Sequence, residues 1–168
     1  MPINSTQLAG LIAFCPAASA AAAAFVSGWD RPRKHCFSWA IISAIHSLLA
    51  IEVLALARHR IDRMLGEWLR AANVYPERRP AQAVIIFITI ALSVLAIIHF
   101  VRRAETRTLA IAHGATVILV ALFALESISL HQVDSVLYRP AGLVLAIGWL
   151  WLGCGWTTAA AAAESLRK

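Results

Sequence analysis

Residues 81–101 read AQAVIIFITIALSVLAIIHFV, an apolar stretch that contains no charged side chain. A helix rises about 1.5 Å per residue and the hydrocarbon core of a bilayer is about 30 Å thick, so roughly 20 apolar residues cross it. The stretch is long enough for one crossing, and it predicts a transmembrane helix.

Four further stretches of the same kind occupy much of the remaining chain of 168 residues. Hydrophobic residues make up 60% of the sequence and charged residues 14%, whereas about 25% of a soluble domain is charged. We therefore predict an all-α, polytopic integral membrane protein that forms one membrane domain over residues 1–168. In chain order, the predicted spans are residues 7–28, 37–57, 81–101, 108–125 and 141–163.

The first span is mostly alanine, with Pro16 inside it. Because residues 1–7 contain no Lys or Arg, we expect this segment to be retained, unlike a cleaved signal peptide. Small residues recur along it at helical spacing, which lets two helix backbones approach closely and associate inside a bilayer. The chain's own bundle and a different subunit are both possible partners for this face. Its residues are Ala13, Ala17, Ala20, Ala24 and Gly28.

Between spans two and three, residues 58–72 have an amphipathic helical pattern. Apolar side chains from Ile61 to Ala72 recur at i, i+3, i+4, i+7, i+8 and i+11, and charged ones fall opposite. The pattern predicts a basic helix lying in the lipid interface, with its arginines at the phosphates of anionic lipids. A docking surface for a partner is the alternative. The predicted lipid contacts are Arg60, Arg63, Trp68 and Arg70.

Glu52 is the most costly residue to insert, because a charged carboxylate inside a span costs up to about 3 kcal/mol. Such a group is protonated, paired or facing a polar cavity. Arg58 or His59, six or seven positions further on, lies near the same face. One interpretation is a proton or ion site. The other, which we favour, is a paired or protonated carboxyl that fixes helix packing.

Three histidines are candidate cofactor ligands. His46 lies near the middle of span two, where an imidazole is a suitable axial ligand for haem or for the magnesium of a chlorophyll-type pigment. His99 and His113 lie at the end of span three and the start of span four, level with each other, so they can form a pair. No other histidine is predicted at the depth of His46, so it has no evident second ligand to pair with. The alternative, which we favour for these side chains, is a neutral hydrogen-bonded histidine.

Catalytic signatures are missing from the sequence: there is no P-loop, GxGxxG, HExxH or Glu-x-x-His pattern. Glu126, His131 and Asp134 cluster after span four, but no oxyanion loop or strand-turn elbow accompanies them, so we interpret them as a polar helix end. The sequence predicts no catalytic residue and no metal site.

The net charge of +6 comes from Lys and Arg in the connecting segments, with seven on one side of the predicted membrane and eight on the other. This near tie leaves the orientation open, and the basic segments indicate contact with anionic lipids and not with nucleic acid.

We expect a non-catalytic subunit or assembly factor of a larger complex, with other membrane subunits as partners, in the bacterial inner membrane. Two alternatives belong to other classes. One is a haem- or chlorophyll-binding subunit for electron transfer or light harvesting. The other is a small proton-coupled transporter or channel centred on Glu52.

Overall fold

The computed structural model describes residues 3–29, 32–56, 60, 63–64, 67–68, 70–71, 78–128 and 135–167. These residues include five long helices, which agrees with the predicted all-α class. The helices are α1 (Ser5–Ser27), α2 (Arg33–Ala55), α3 (Arg78–Arg103), α4 (Arg107–Ile128) and α5 (Ala146–Leu166).

Four of the helices, α1 to α4, are long and apolar enough to cross a membrane. Helix α5 occupies most of the fifth predicted span, but glycine, threonine and tryptophan make it less apolar than the others. The predicted start of that span at residue 141 is wrong. Strands β1 (Pro140–Ala141) and β2 (Val144–Leu145) form a small antiparallel hairpin there, because Gly142, with φ of +74°, adopts the left-handed conformation of a tight turn.

Helix α1 begins with a capping box. The side chain of Asn4 accepts a hydrogen bond from the Gln7 backbone N–H at 2.8 Å, and the Gln7 side chain accepts one from the Asn4 N–H at 3.0 Å. The Gln7 amide also donates to the carbonyl of Val53 at 3.0 Å, which joins the start of α1 to the end of α2. One side chain therefore both begins the first helix and positions the second.

Helix α1 lies at the centre of the bundle, packed against α5 on one side and α2 on the other. The order of their contacts shows that helices α1 and α5 run parallel: Gly148 lies beside Ala9, and further along both helices Gly155 lies beside Ala13. A Cβ placed on Gly155 would lie 2.5 Å from the carbonyl oxygen of Ala13, so only glycine allows this approach. The closest helix pair is thus formed by small residues, as expected for association inside a bilayer.

Aromatic rings fill the centre of the bundle between α1, α4 and α5. Trp151 stacks on Phe123 with centroids 5.3 Å apart. Phe14 tilts against these two rings at 5.9 and 5.8 Å. Phe14 and Trp151 are almost completely buried, so they fix the separation of the three helices.

Helix α3 is at the edge of the bundle. It packs against α4, and no side chain of Gln82–Arg103 is buried. This segment is also the most apolar of the candidate spans. In a membrane, lipid or another membrane protein can cover so apolar a helix without a free-energy penalty.

Candidate functional site

His46 lies fully buried where α2 meets α1 and α4. Its Nε2 is 3.3 Å from the Thr116 hydroxyl, which donates its single proton to the Ala112 carbonyl at 2.8 Å. The hydroxyl therefore accepts from His46, which assigns a neutral imidazole with its proton on Nε2. The Phe14 ring packs against the imidazole, with centroids 6.1 Å apart. A flat macrocycle bound at His46 would have to displace these packed side chains.

His99 and His113 do not form a simple facing pair. Both rings contact Phe100: His113 stacks on it at 4.9 Å with 17° between the planes, and His99 meets its edge at 5.5 Å. His99 is exposed on α3, whereas His113 is half-buried on α4. Phe100 therefore contacts both imidazoles.

Glu52 is half-buried in the last turn of α2. Its backbone carbonyl accepts from the N–H of Leu56 at 2.7 Å, and Leu56 ends the helix in the left-handed conformation at φ of 52°. Glu52 is therefore within one turn of the helix end. Arg58 and His59, its predicted partners, lie outside the described residues.

The small residues of α1 contact other parts of the same chain. Ala13, Ala17, Ala24 and Gly28 are buried and Ala20 is half-buried. Ala21 and Ala24 pack in one cluster with Ala161 and Ala162 of α5. Because this face is occupied by α2 and α5, it is not exposed to a separate subunit.

A polar cluster at the start of α2 was missed by the sequence reasoning. The buried His35 accepts a hydrogen bond from the Trp39 indole at 3.2 Å, so its Nε2 carries no proton and the proton lies on Nδ1. That Nδ1 is 3.7 Å from a carboxylate oxygen of Glu105, in the turn between α3 and α4. The i, i+4 spacing of His35 and Trp39 was a signal. Their contact with Glu105 depends on the tertiary fold.

The acidic residue after span four has a partner in the hairpin region. Glu126 is buried and accepts a hydrogen bond from the Tyr138 hydroxyl at 3.0 Å. His131 and Asp134, the other members of the predicted polar helix end, lie outside the described residues. The contact links the end of α4 to the chain that leads into α5.

Most of the predicted interfacial helix, residues 58–72, also lies outside the described residues. The residues that are described within it are exposed, including the large apolar side chains of Met64 and Trp68. The remaining exposed ones are Arg60, Arg63, Glu67, Arg70 and Ala71.

Within the described parts of the chain, no three His, Cys, Asp or Glu side chains come together as a metal site. No protein-family model, curated protein or solved structure matches this chain. The assignment of function therefore depends on the geometry of its own residues.

Proposed function

We propose that this chain is a non-catalytic accessory subunit of a larger integral membrane complex, in the bacterial inner membrane. The observation that carries the proposal is how the polar side chains within the described spans are used. His46 bonds to Thr116, the Ser43 hydroxyl donates to the carbonyl of Ala18 at 2.9 Å, and Gln7 donates to Val53. Each bond joins two helices, so these groups serve to hold the bundle together.

The surface available to a partner is α3. Helix α4 supports one side of it, while its other side chains point away from the bundle, and Phe87 is 74% exposed. Without a hydrophobic driving force in lipid, a second transmembrane helix packs on such a surface through close contact of side chains. The small-residue face of α1 is occupied, and α3 replaces it as the proposed site of subunit contact.

We infer further that α5 crosses the membrane together with the four more apolar helices. It runs parallel to α1 and contacts it from Ala9 and Gly148 to Ala24 and Ala162. A helix in contact with α1 over this length occupies the same depth of the bilayer. The chain then has five crossings.

We also propose that residues 58–72 lie in the interface and bind anionic lipids. Arg60, Arg63 and Arg70 supply the positive charges and Trp68 supplies the aromatic ring at headgroup depth. The exposure of Met64 and Trp68 supports this, because the bundle does not cover these two apolar side chains.

Native electrophoresis and photo-crosslinking test the subunit proposal. After extraction in mild detergent, the tagged chain is expected to migrate with other polypeptides. A photoreactive phenylalanine analogue at Phe87 of α3 should form a covalent adduct with one of them, and the same analogue at the exposed Trp149 of α5 serves as the control. A stable isolated chain, or adducts at Phe87 with lipid alone, would contradict the proposal.

An absorption spectrum separates this proposal from the cofactor alternative. Because Phe14 and Thr116 pack against His46, we expect the purified chain to show neither a Soret nor a Q band. A Soret band that disappears in His46→Ala would instead support a haem subunit.

Liposome flux separates the proposal from the transporter alternative. Proton-coupled flux is expected to equal that of empty liposomes, for the native chain and for Glu52→Gln alike. Flux that Glu52→Gln abolishes would favour a transporter centred on this carboxyl group.

A further inference from the structure

A lateral groove runs along α4 between α2 and α3. It consists of two cavities of about 330 and 360 Å³. Both are lined by Ile45 of α2 and by Thr116 and Val117 of α4, so they adjoin each other. We refer to them together as the α4 groove.

The α4 groove is about as long as the hydrocarbon core of a bilayer is thick. On α2 it extends from Lys34 to Ile45, and on α4 from His113 to Ala124. Because His46 of α2 bonds to Thr116 of α4, these two intervals overlap only near Ile45 and Thr116. From Lys34 to Ala124 the groove therefore follows about 20 helical residues, or about 30 Å.

The two ends of the groove differ chemically. The half near the start of α2 is lined by three polar side chains, those of Lys34, Ser38 and His113. The other half is lined by small and aliphatic side chains, such as Ala121 and Ala124. A molecule that matches both ends has an anionic head and one long apolar chain.

The charge at this end of the bundle is mainly positive. The ends of five helices meet here, and the basic residues near them in the described part of the chain outnumber the acidic Glu105 and Glu164. Anionic lipids gain about 1 kcal/mol for each Lys or Arg near the surface. The basic residues are Arg33, Lys34, Arg102, Arg103, Arg107 and Arg167.

We propose that the α4 groove binds an anionic phospholipid, with its phosphate at Lys34 and one acyl chain along the groove past Ile45 and Val117. The positive charge at this end of the bundle favours an anionic headgroup, and the aliphatic side chains further along the groove favour an acyl chain.

Native mass spectrometry of the full chain, released from nanodiscs with equal phosphatidylglycerol and phosphatidylethanolamine, tests the headgroup contact. The native chain should retain phosphatidylglycerol in excess. Lys34→Gln should lower the ratio of the two retained lipids about fivefold, the effect of one surface charge. Arg139→Gln, at the opposite end of the bundle, is the matched control and should change the ratio much less. Equal effects of the two variants, or equal retention of both lipids, would overturn the proposal.

Filling the groove tests the acyl-chain contact. Val117→Phe narrows the part of the groove that both cavities share, so the number of retained lipids should fall by about one, whereas the exposed Ala160→Phe on α5 should not change it. Thermal unfolding of the same samples shows whether the bundle is intact, and Ile45→Phe replaces Val117→Phe if that variant does not fold. Undiminished retention in a folded groove variant, or a neutral molecule or a polypeptide in place of the lipid, would refute the proposal.

Discussion

His46 and Thr116 bond to each other at a depth where water does not compete for either group. The Thr116 hydroxyl is used twice, as donor to Ala112 and as acceptor from the imidazole. Measured hydrogen bonds between transmembrane helices contribute about 0.6 kcal/mol on average and at most about 1.7 kcal/mol. The bond therefore makes a small but measurable contribution to bundle stability.

Thr116→Val should lower the free energy of unfolding by about 1 kcal/mol, because it removes the hydroxyl and retains the shape of the side chain. Unfolding in mixed micelles with increasing SDS measures this change. Thr116→Ser retains the hydroxyl and should lose less. Equal stability of Thr116→Val and the native chain would show that the hydrogen bond between His46 and Thr116 does not stabilise the bundle.

Trp39→Phe should destabilise the start of α2 by about 1–3 kcal/mol, because it leaves Nε2 of the buried His35 without its donor. Thermal unfolding in detergent is a suitable measurement. Trp29→Phe is the matched control: this tryptophan is 74% exposed, and its replacement should change the stability by less than about 0.5 kcal/mol. A similar loss in the two variants would argue against the hydrogen bond as the cause.

In this bundle the most apolar helix, α3, lies at the edge, and the alanine-rich helix α1 lies at the centre. Helix α3 is richest in isoleucine, leucine and valine and has no buried side chain in Gln82–Arg103. Helix α1 is mostly alanine and is packed on two sides. Because lipid is as apolar as leucine, large aliphatic side chains gain little from burial in protein, and close backbone contact decides which helices pack together.

Two glycines of α5 allow this contact to be tested. Gly155→Ala places a methyl group 2.5 Å from the Ala13 carbonyl oxygen, so α1 and α5 must separate and stability should fall by about 1–3 kcal/mol. Gly153→Ala has open space around it and should be neutral or slightly stabilising, because alanine is the better helix former. Comparison of the two variants by SDS titration isolates the packing effect. Equal stability of both would exclude a close α1–α5 contact.

The bundle as a whole places the two ends of the described chain on opposite sides, if its five helices all cross the membrane. Charge alone does not test this, because seven Lys and Arg face one side and eight the other. The parallel contact of α1 with α5 predicts part of the topology, because two parallel helices that both cross the membrane cross it in the same direction.

Single cysteines at Ile3 and Leu166, in a background where Cys15, Cys36 and Cys154 are replaced by alanine, test the crossing of α5. A membrane-impermeant maleimide added to intact cells or sealed vesicles should label one position from outside and the other only after permeabilisation. Labelling of both positions from the same side would mean that α5 does not cross, and it would remove one of the five proposed spans.

Several features could be predicted from the sequence because they are local. Length and hydropathy determine which segments are helical and long enough for a bilayer, and α1 to α4 lie where the apolar stretches predicted them. The helix ends were less accurate. The hairpin at Pro140–Leu145 depends on the turn at Gly142 and on strand pairing across it. Hydropathy does not report either feature, so it predicts that the same residues belong to a span.

The sequence by itself determined that the chain has helices apolar enough for a bilayer, where these helices lie and which residues are costly to insert. Only the tertiary structure decided which helices meet. The partner of His46, the contact of His35 with Glu105, the burial of the α1 alanines and the α4 groove each join residues far apart in the chain. The physical reason is that hydropathy reports how well a helix dissolves in lipid. Helix pairing depends on how closely two particular surfaces fit, and that fit is a property of both helices together.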